Sequence, residues 1–301
     1  MMLFPGQGSQ CIKMGEYCYQ NFKVAREIYE EASDILHFDV AKLCLQGRLS
    51  QLCNFKNMQI AVVVTEVALF YSFLEQCEVE PKVLLGHSVG EYAALTCSKA
   101  IKFCDVLRIL DERYNLIKQS NIMDLAGMTI VDYCSDETIH KWIKTLDIQD
   151  RVFISCYNAS TQYALSGYRK EMDLIETELV KEGAKVAPLL MSPPLHSDCM
   201  CIIQSQYEDI VNGVNYNKCE IPVYSNVSGE ILAADANIAD ELVQQLCKPV
   251  KMEQSVRDIT EHNVECVIEL SQRAILSNLF LQENVKKFTY GIEEDRNRMR
   301  F

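Results

Sequence analysis

The sequence predicts an α/β protein with a mainly parallel sheet and a small ferredoxin-like unit set into it. Three observations point there. Short apolar runs alternate with helix-like stretches through the first 120 residues, as in sheets covered by helices. From Leu125 to Met191 the signals follow the order βαββαβ, the ferredoxin-like pattern. Between them, Leu84-Leu85-Gly86-His87-Ser88-Val89-Gly90-Glu91-Tyr92 reads as a buried strand, a tight turn and a helix, with a serine at the apex.

Each element has its own reason. Met2–Phe4 is a short apolar strand entering a glycine turn. Tyr19–Leu36 is helix-like, because Phe22, Ala25, Ile28, Tyr29 and Ala32 recur at helical spacing. Ile60–Leu74 is a strongly apolar helix, Val83–Leu85 a buried strand and Glu91–Cys97 the helix after the turn. Asp105–Gln119 carries Val106, Ile109, Leu110, Arg113 and Ile117 at helical intervals. In the second unit, Leu125–Val131, Val152–Asn158, Tyr163–Ser166 and Ala184–Met191 read as strands, and Ser135–Leu146 and Glu171–Glu182 as helices. The charged tail Glu293–Arg300 reads as a solvated end.

Composition narrows the class. The chain has 301 residues, 49% of them hydrophobic, enough to bury a large core. A net charge of -13 argues against nucleic acid, whose binding rests on neutralising phosphates. No apolar stretch reaches the roughly 18 residues a membrane helix needs, and no secretion signal is read at the start. The 14 cysteines show no paired C-x-x-C metal pattern. They read as reduced thiols of a cytoplasmic protein.

The chemistry centres on Ser88. In Gly86-x-Ser88-x-Gly90 the glycines permit a sharp turn and a close approach of two chain segments. The following helix points its free N–H groups at the serine oxygen, which suits an acylated serine that must hold an oxyanion. Val89, the residue after it, supplies one such donor. A serine needs a base, and the chain has five histidines. His87 should point away from the turn, and His37, His140 and His262 sit in polar or helical surroundings. His196, in Ser192-Pro193-Pro194-Leu195-His196-Ser197, lies in a segment that prolines hold extended.

Leu3-Phe4-Pro5-Gly6-Gln7-Gly8-Ser9-Gln10, the GHSVGE run, the P-x-H-S segment, Pro222-Val223-Tyr224-Ser225-Asn226 and Gln245-Leu246-Cys247-Lys248-Pro249-Val250, in that order, resemble the malonyl-CoA:acyl-carrier-protein transacylase family. That family includes the acyltransferases of polyketide synthases. The resemblance runs from about Leu3 to about Leu279. It implies a hydrolase-like large domain over 1–123 and 192–301 with the small ferredoxin-like domain over 124–191, and an active site in the cleft between them. It implies Ser88 and His196 as a catalytic dyad, with a backbone carbonyl at Gln245 orienting the histidine in place of a triad acid such as Asp198. It implies Gln7 as the second oxyanion donor and Arg113 as the clamp on a malonyl carboxylate. It further implies ping-pong transfer from malonyl-CoA to the phosphopantetheine thiol of an acyl carrier protein, with no metal or redox cofactor, by a monomer.

Departures from the family pattern fall at Leu195, which shapes the pocket for an α-substituent, at Met252, and at Glu269–Ala274. They lean towards a polyketide or hybrid assembly line rather than fatty-acid synthesis. The rival readings are a hydrolase that strips stalled acyl groups from carrier proteins and a catalytically silent docking subunit. Carrier proteins are typically acidic, so docking on this acidic chain calls for a local basic patch. Lys141 with Lys144, or Lys248 with Lys251, are the candidates.

Overall fold

The computed structural model describes residues 1–77, 79–189, 191–262, 264–282 and 284–299. Its nine strands there are β1 (Met2–Phe4), β2 (Leu84–Gly86), β3 (Ala126–Asp132), β4 (Val152–Ala159), β5 (Gln162–Tyr168), β6 (Lys185–Leu189), β7 (Val223–Tyr224), β8 (Cys266–Glu269) and β9 (Lys286–Thr289). Five form one sheet in the order β7-β2-β1-β8-β9, with every pairing parallel. Phe4 lies opposite Gly86, so the loops leaving β1 and β2 emerge side by side at the carboxyl end of the sheet. Ligands of open α/β sheets bind there.

The long helix Phe55–Gln76 packs behind this sheet, and it corrects one expectation. By length and composition it could cross a membrane, since its few polar residues do not break the apolar average. Yet 83% of its most apolar stretch is buried inside the protein. A helix apolar on all sides belongs in the core of a large domain.

The second sheet is antiparallel, in the order β4-β5-β3-β6, and the helices Asp136–Thr145 and Arg169–Lys181 complete the βαββαβ unit. Strand alternation gives it two apolar faces. Val131, Leu165, Ile139, Ile175 and Leu179 form a core of its own. Met128, Cys156 and Ala164 join the core of the larger unit. The two units are stitched by backbone bonds from Tyr157 N–H to the Val250 carbonyl and from Val250 N–H to the Ser155 carbonyl, both 2.9 Å. The Ser166 hydroxyl adds a bond of 2.7 Å to the Leu195 carbonyl.

Two further expectations change. The Tyr19–Leu36 helix is two helices, Glu16–Asn21 and Lys23–Leu36, because Phe22 is extended (φ -121°, ψ 131°). The tail is docked: Glu293–Arg298 is helical, Arg296 donates to the Tyr290 carbonyl at 3.0 Å and stacks on Tyr17, and the Asp295 carboxylate accepts from Thr289 N–H at 2.8 Å.

Candidate active site

Ser88 sits at the apex between β2 and the helix Val89–Cys97 with φ 55° and ψ -114°. That conformation is strained for a residue with a Cβ and costs about 1–3 kcal/mol, so the surroundings must hold it. They do so from both sides. Ser88 N–H donates to Asn226 Oδ1 at 2.7 Å, and Asn226 Nδ2 donates to the Gly86 carbonyl at 2.6 Å. Gln245 Nε2 donates to the Ser88 carbonyl at 3.0 Å. A Cβ on Gly90 would collide with the Phe4 carbonyl, and one on Gly6 (φ 71°) with the His87 carbonyl. The glycines therefore let the first loop press against the turn.

His196 faces Ser88, with Nε2 2.7 Å from the serine Oγ. Its own backbone is left-handed at φ 59° and is fixed by a bond from His196 N–H to the Leu246 carbonyl. Nδ1 lies 2.6 Å from the Gln245 carbonyl. A carbonyl only accepts, so Nδ1 carries the proton and Nε2 presents a lone pair to the serine hydroxyl. Among the described residues the ring's hydrogen bonds go to Ser88 and Gln245 and not to Asp198, which opens a short turn, Asp198–Met200. Burial pushes the His196 pKa down to about 3. The Gln245 carbonyl opposes this, and the His87 and Arg113 charges add to it. The imidazole is thus neutral over the whole physiological range.

The backbone N–H groups of Gln7 and Val89 have no partner among the described residues. Gly6 N–H is held by the buried Glu66 carboxyl at 3.0 Å, which anchors the loop beside Gln7. A cavity of about 210 Å³ opens in front of Ser88, walled by Gln7, Gly8, His87, His196 and the apolar Met128, Ile130, Leu189 and Leu195. His87 does not point away as its position suggested. Its Nε2 meets Asn158 Oδ1 at 2.8 Å, and the pair lines this cavity.

Arg113, on the helix Phe103–Ser120, is 2% exposed. Among the described residues no carboxylate pairs with it; Asp111 pairs with Lys56 instead, at 2.6 Å. Nη1 donates to Tyr92 Oη at 3.1 Å and Nη2 to Gln59 Oε1 at 2.8 Å, while Nε has no partner. Arg113 is not among the residues walling the cavity. Its charge is nonetheless near enough to act on His196. Most buried charges are paired; this one is solvated by two neutral groups, with its Nε left without a partner.

The sequence profile of the acyl transferase domain matches residues 1–291. The chain belongs to the acyl transferase domain family. A malonyl CoA-acyl carrier protein transacylase of Bacillus subtilis strain 168 is 30% identical over 295 residues, covering 97% of this chain and 92% of that one. A second Bacillus subtilis protein of that name is 28% identical, covering 96% of this chain and 72% of the relative. Among solved structures, a malonyl-transacylase in complex with its type II PKS acyl-carrier protein superposes with a TM-score of 0.90 at 27% identity, covering 98% and 96% of the two chains. An acyl-carrier-protein S-malonyltransferase of Burkholderia pseudomallei superposes with a TM-score of 0.91 at 26% identity, covering 99% and 97%.

Several partners of the acyl transferase site were not read from the sequence. Gln59 and Glu66 reach it from more than 50 residues away, where no local spacing signals the contact, and Asn226, present in the P-V-x-S-N segment, had no role read for it. The altered segment after Glu269 also has a structural use. Glu269 accepts from the N–H groups of Ile275, Leu276 and Ser277, and Gln272 Oε1 accepts from Gly15 N–H at 3.3 Å.

Proposed function

We propose that the chain transfers a malonyl group, plain or α-substituted, from coenzyme A to the phosphopantetheine thiol of an acyl carrier protein. The observation that carries this reading is the pairing of an activated serine with a buried guanidinium that has no acid of its own. In the first half-reaction His196 Nε2 takes the Ser88 proton as Oγ attacks the thioester carbonyl. The Gln7 and Val89 amides receive the oxyanion, and coenzyme A leaves as its thiol, carrying the proton from His196. The malonyl carboxylate meets Arg113, whose fork geometry suits two parallel bonds. In the second half-reaction His196 takes the proton of the carrier thiol as the sulfur attacks the ester carbonyl, and returns it to Ser88 Oγ as the acyl–oxygen bond breaks. No step calls for a metal or redox group.

The apolar wall at Met128, Ile130 and Leu195 supports an α-substituent, and with it the polyketide or hybrid setting over fatty-acid synthesis. Of the basic pairs, Lys141 is engaged by Glu182 at 2.9 Å, whereas Lys248 is exposed beside a groove that reaches His196. Lys248 is therefore the better carrier contact. All fourteen cysteines stand unpaired, which supports work in a reducing cytoplasm.

Intact-mass spectrometry after brief exposure to malonyl-CoA tests the reading. One malonyl unit should add to the wild type and none to Ser88→Ala. An adduct that survives Ser88→Ala, or acylation by acetyl-CoA but not malonyl-CoA, would overturn it.

A further inference from the structure

We propose that Glu91 is a positioning residue that holds Ser88 and His196 in one frame, acting through Asn226 and Gln245. The inference rests on the reading of Ser88 and His196 as nucleophile and base.

Glu91 lies in the first turn of the helix after Ser88 and is fully buried. Its Oε1 accepts from Asn226 N–H at 2.9 Å, and its Oε2 accepts from Gln245 Nε2. These are the two residues that grip the strained serine, Asn226 from the N–H side and Gln245 from the carbonyl side. Gln245 also offers its backbone carbonyl to His196 Nδ1. One side chain thus ties together three distant segments, at Ser88, Asn226 and Gln245. Gln245 Nε2 meets two acceptors, the Ser88 carbonyl and Glu91, which fixes the orientation of its amide.

The chemistry at position 91 is selective. Both of those partners donate, so both oxygens there must accept. A glutamine would turn its NH2 against Asn226 N–H in one rotamer and against Gln245 Nε2 in the other. Water cannot relieve that clash at a fully buried site. A second acid, Glu241, reaches Glu91 and is itself bonded by the Ser225 hydroxyl at 2.6 Å. Burial, then the Glu241 charge, raises the Glu91 carboxyl well above the usual carboxylate range.

The test is Glu91→Gln, nearly isosteric, assayed for malonyl transfer. The expected result is a kcat at least 30-fold down with KM for malonyl-CoA within threefold and an unchanged circular dichroism spectrum. Gln245→Met keeps the carbonyl beneath His196 but removes the arm that Glu91 holds, and should lower kcat at least tenfold at constant KM. The double variant should be little worse than Glu91→Gln alone, because both changes cut the same link. A kcat within threefold of wild type in Glu91→Gln, or additive losses in the double variant, would overturn the proposal. If Glu91→Gln does not fold, Gln245→Met decides alone, and a kcat within threefold of wild type overturns it. Malonylation of wild-type Ser88 is the control: its absence would mean that the reading of Ser88 fails, which is a different result.

Discussion

Replacing Arg113 by leucine should separate activity from stability. The guanidinium is buried without an acid partner, so the folded protein carries the cost of desolvating it. Removing such a charge in favour of an apolar side chain is often neutral or stabilising by about 1–4 kcal/mol. Against this, Gln59 Oε1 loses the Nη2 donor 2.8 Å away, and a buried acceptor left unpaired costs about 1–3 kcal/mol. The two nearly cancel, so the variant should fold within about 2 kcal/mol of wild type. Catalysis has no such compensation. A malonyl carboxylate brought into the site would lose its charge partner, which costs about 2–5 kcal/mol for a buried hydrogen-bonded pair. At about 1.4 kcal/mol per decade this is a loss of roughly 30-fold to several thousandfold in kcat/KM for malonyl-CoA. Acetyl-CoA has no carboxylate and should be used as well as before, or better. Steady-state transfer with both donors, alongside urea unfolding, measures the three quantities. Equal losses with both donors, or destabilisation beyond about 3 kcal/mol, would show Arg113 to be a structural residue.

Other outcomes follow from the same geometry. Because the His196 pKa is near 3, the rate of Ser88 malonylation should show no acid limb around pH 6.5; rapid-quench rates from pH 8 to pH 5 check this, and a limb with an apparent pKa of 6–7 would contradict it. The same depressed value bears on stability. Unfolded His196 protonates below its ordinary 6.5 while the folded form stays neutral, so this group makes the fold less stable as pH falls from 6.5 towards 3 and has no effect on stability above 6.5. Gly6→Ala places a Cβ against the His87 carbonyl at a left-handed position; it should destabilise by about 1–3 kcal/mol and lower kcat by parting the Gln7 and Val89 amides. Lys248→Glu should raise the KM for the carrier protein at low salt and leave malonylation of Ser88 unchanged, with the difference fading in high salt.

The parts of the fold and site that were legible in the sequence are those with local signals. The glycine pattern around Ser88 requires close packing that two collisions, at Phe4 and His87, bear out. The βαββαβ order is legible because each strand there spans five to eight residues, long enough to register as a run between helical stretches. β7, with two residues, and β8 and β9, with four each, are too short to carry any period. They are strands because β2 offers an edge to β7, β1 to β8, and β8 in turn to β9. His87 was misjudged because direction on a strained turn depends on the neighbour, Asn158, which comes from the other sheet. Phe22 interrupts a helical pattern whose apolar spacing continues across the break, since both helices pack their apolar faces on the same core.

The most direct test of the central claim is the fate of the malonyl group on Ser88. Malonyl-enzyme freed of coenzyme A is mixed either with buffer or with holo carrier protein, and the decay of the adduct is followed by mass. The account predicts slow loss in buffer, rapid loss with the carrier, and appearance of malonyl-carrier in step with free enzyme. Equal decay in both, with free malonate as the product, would make the chain a hydrolase and contradict the transferase reading.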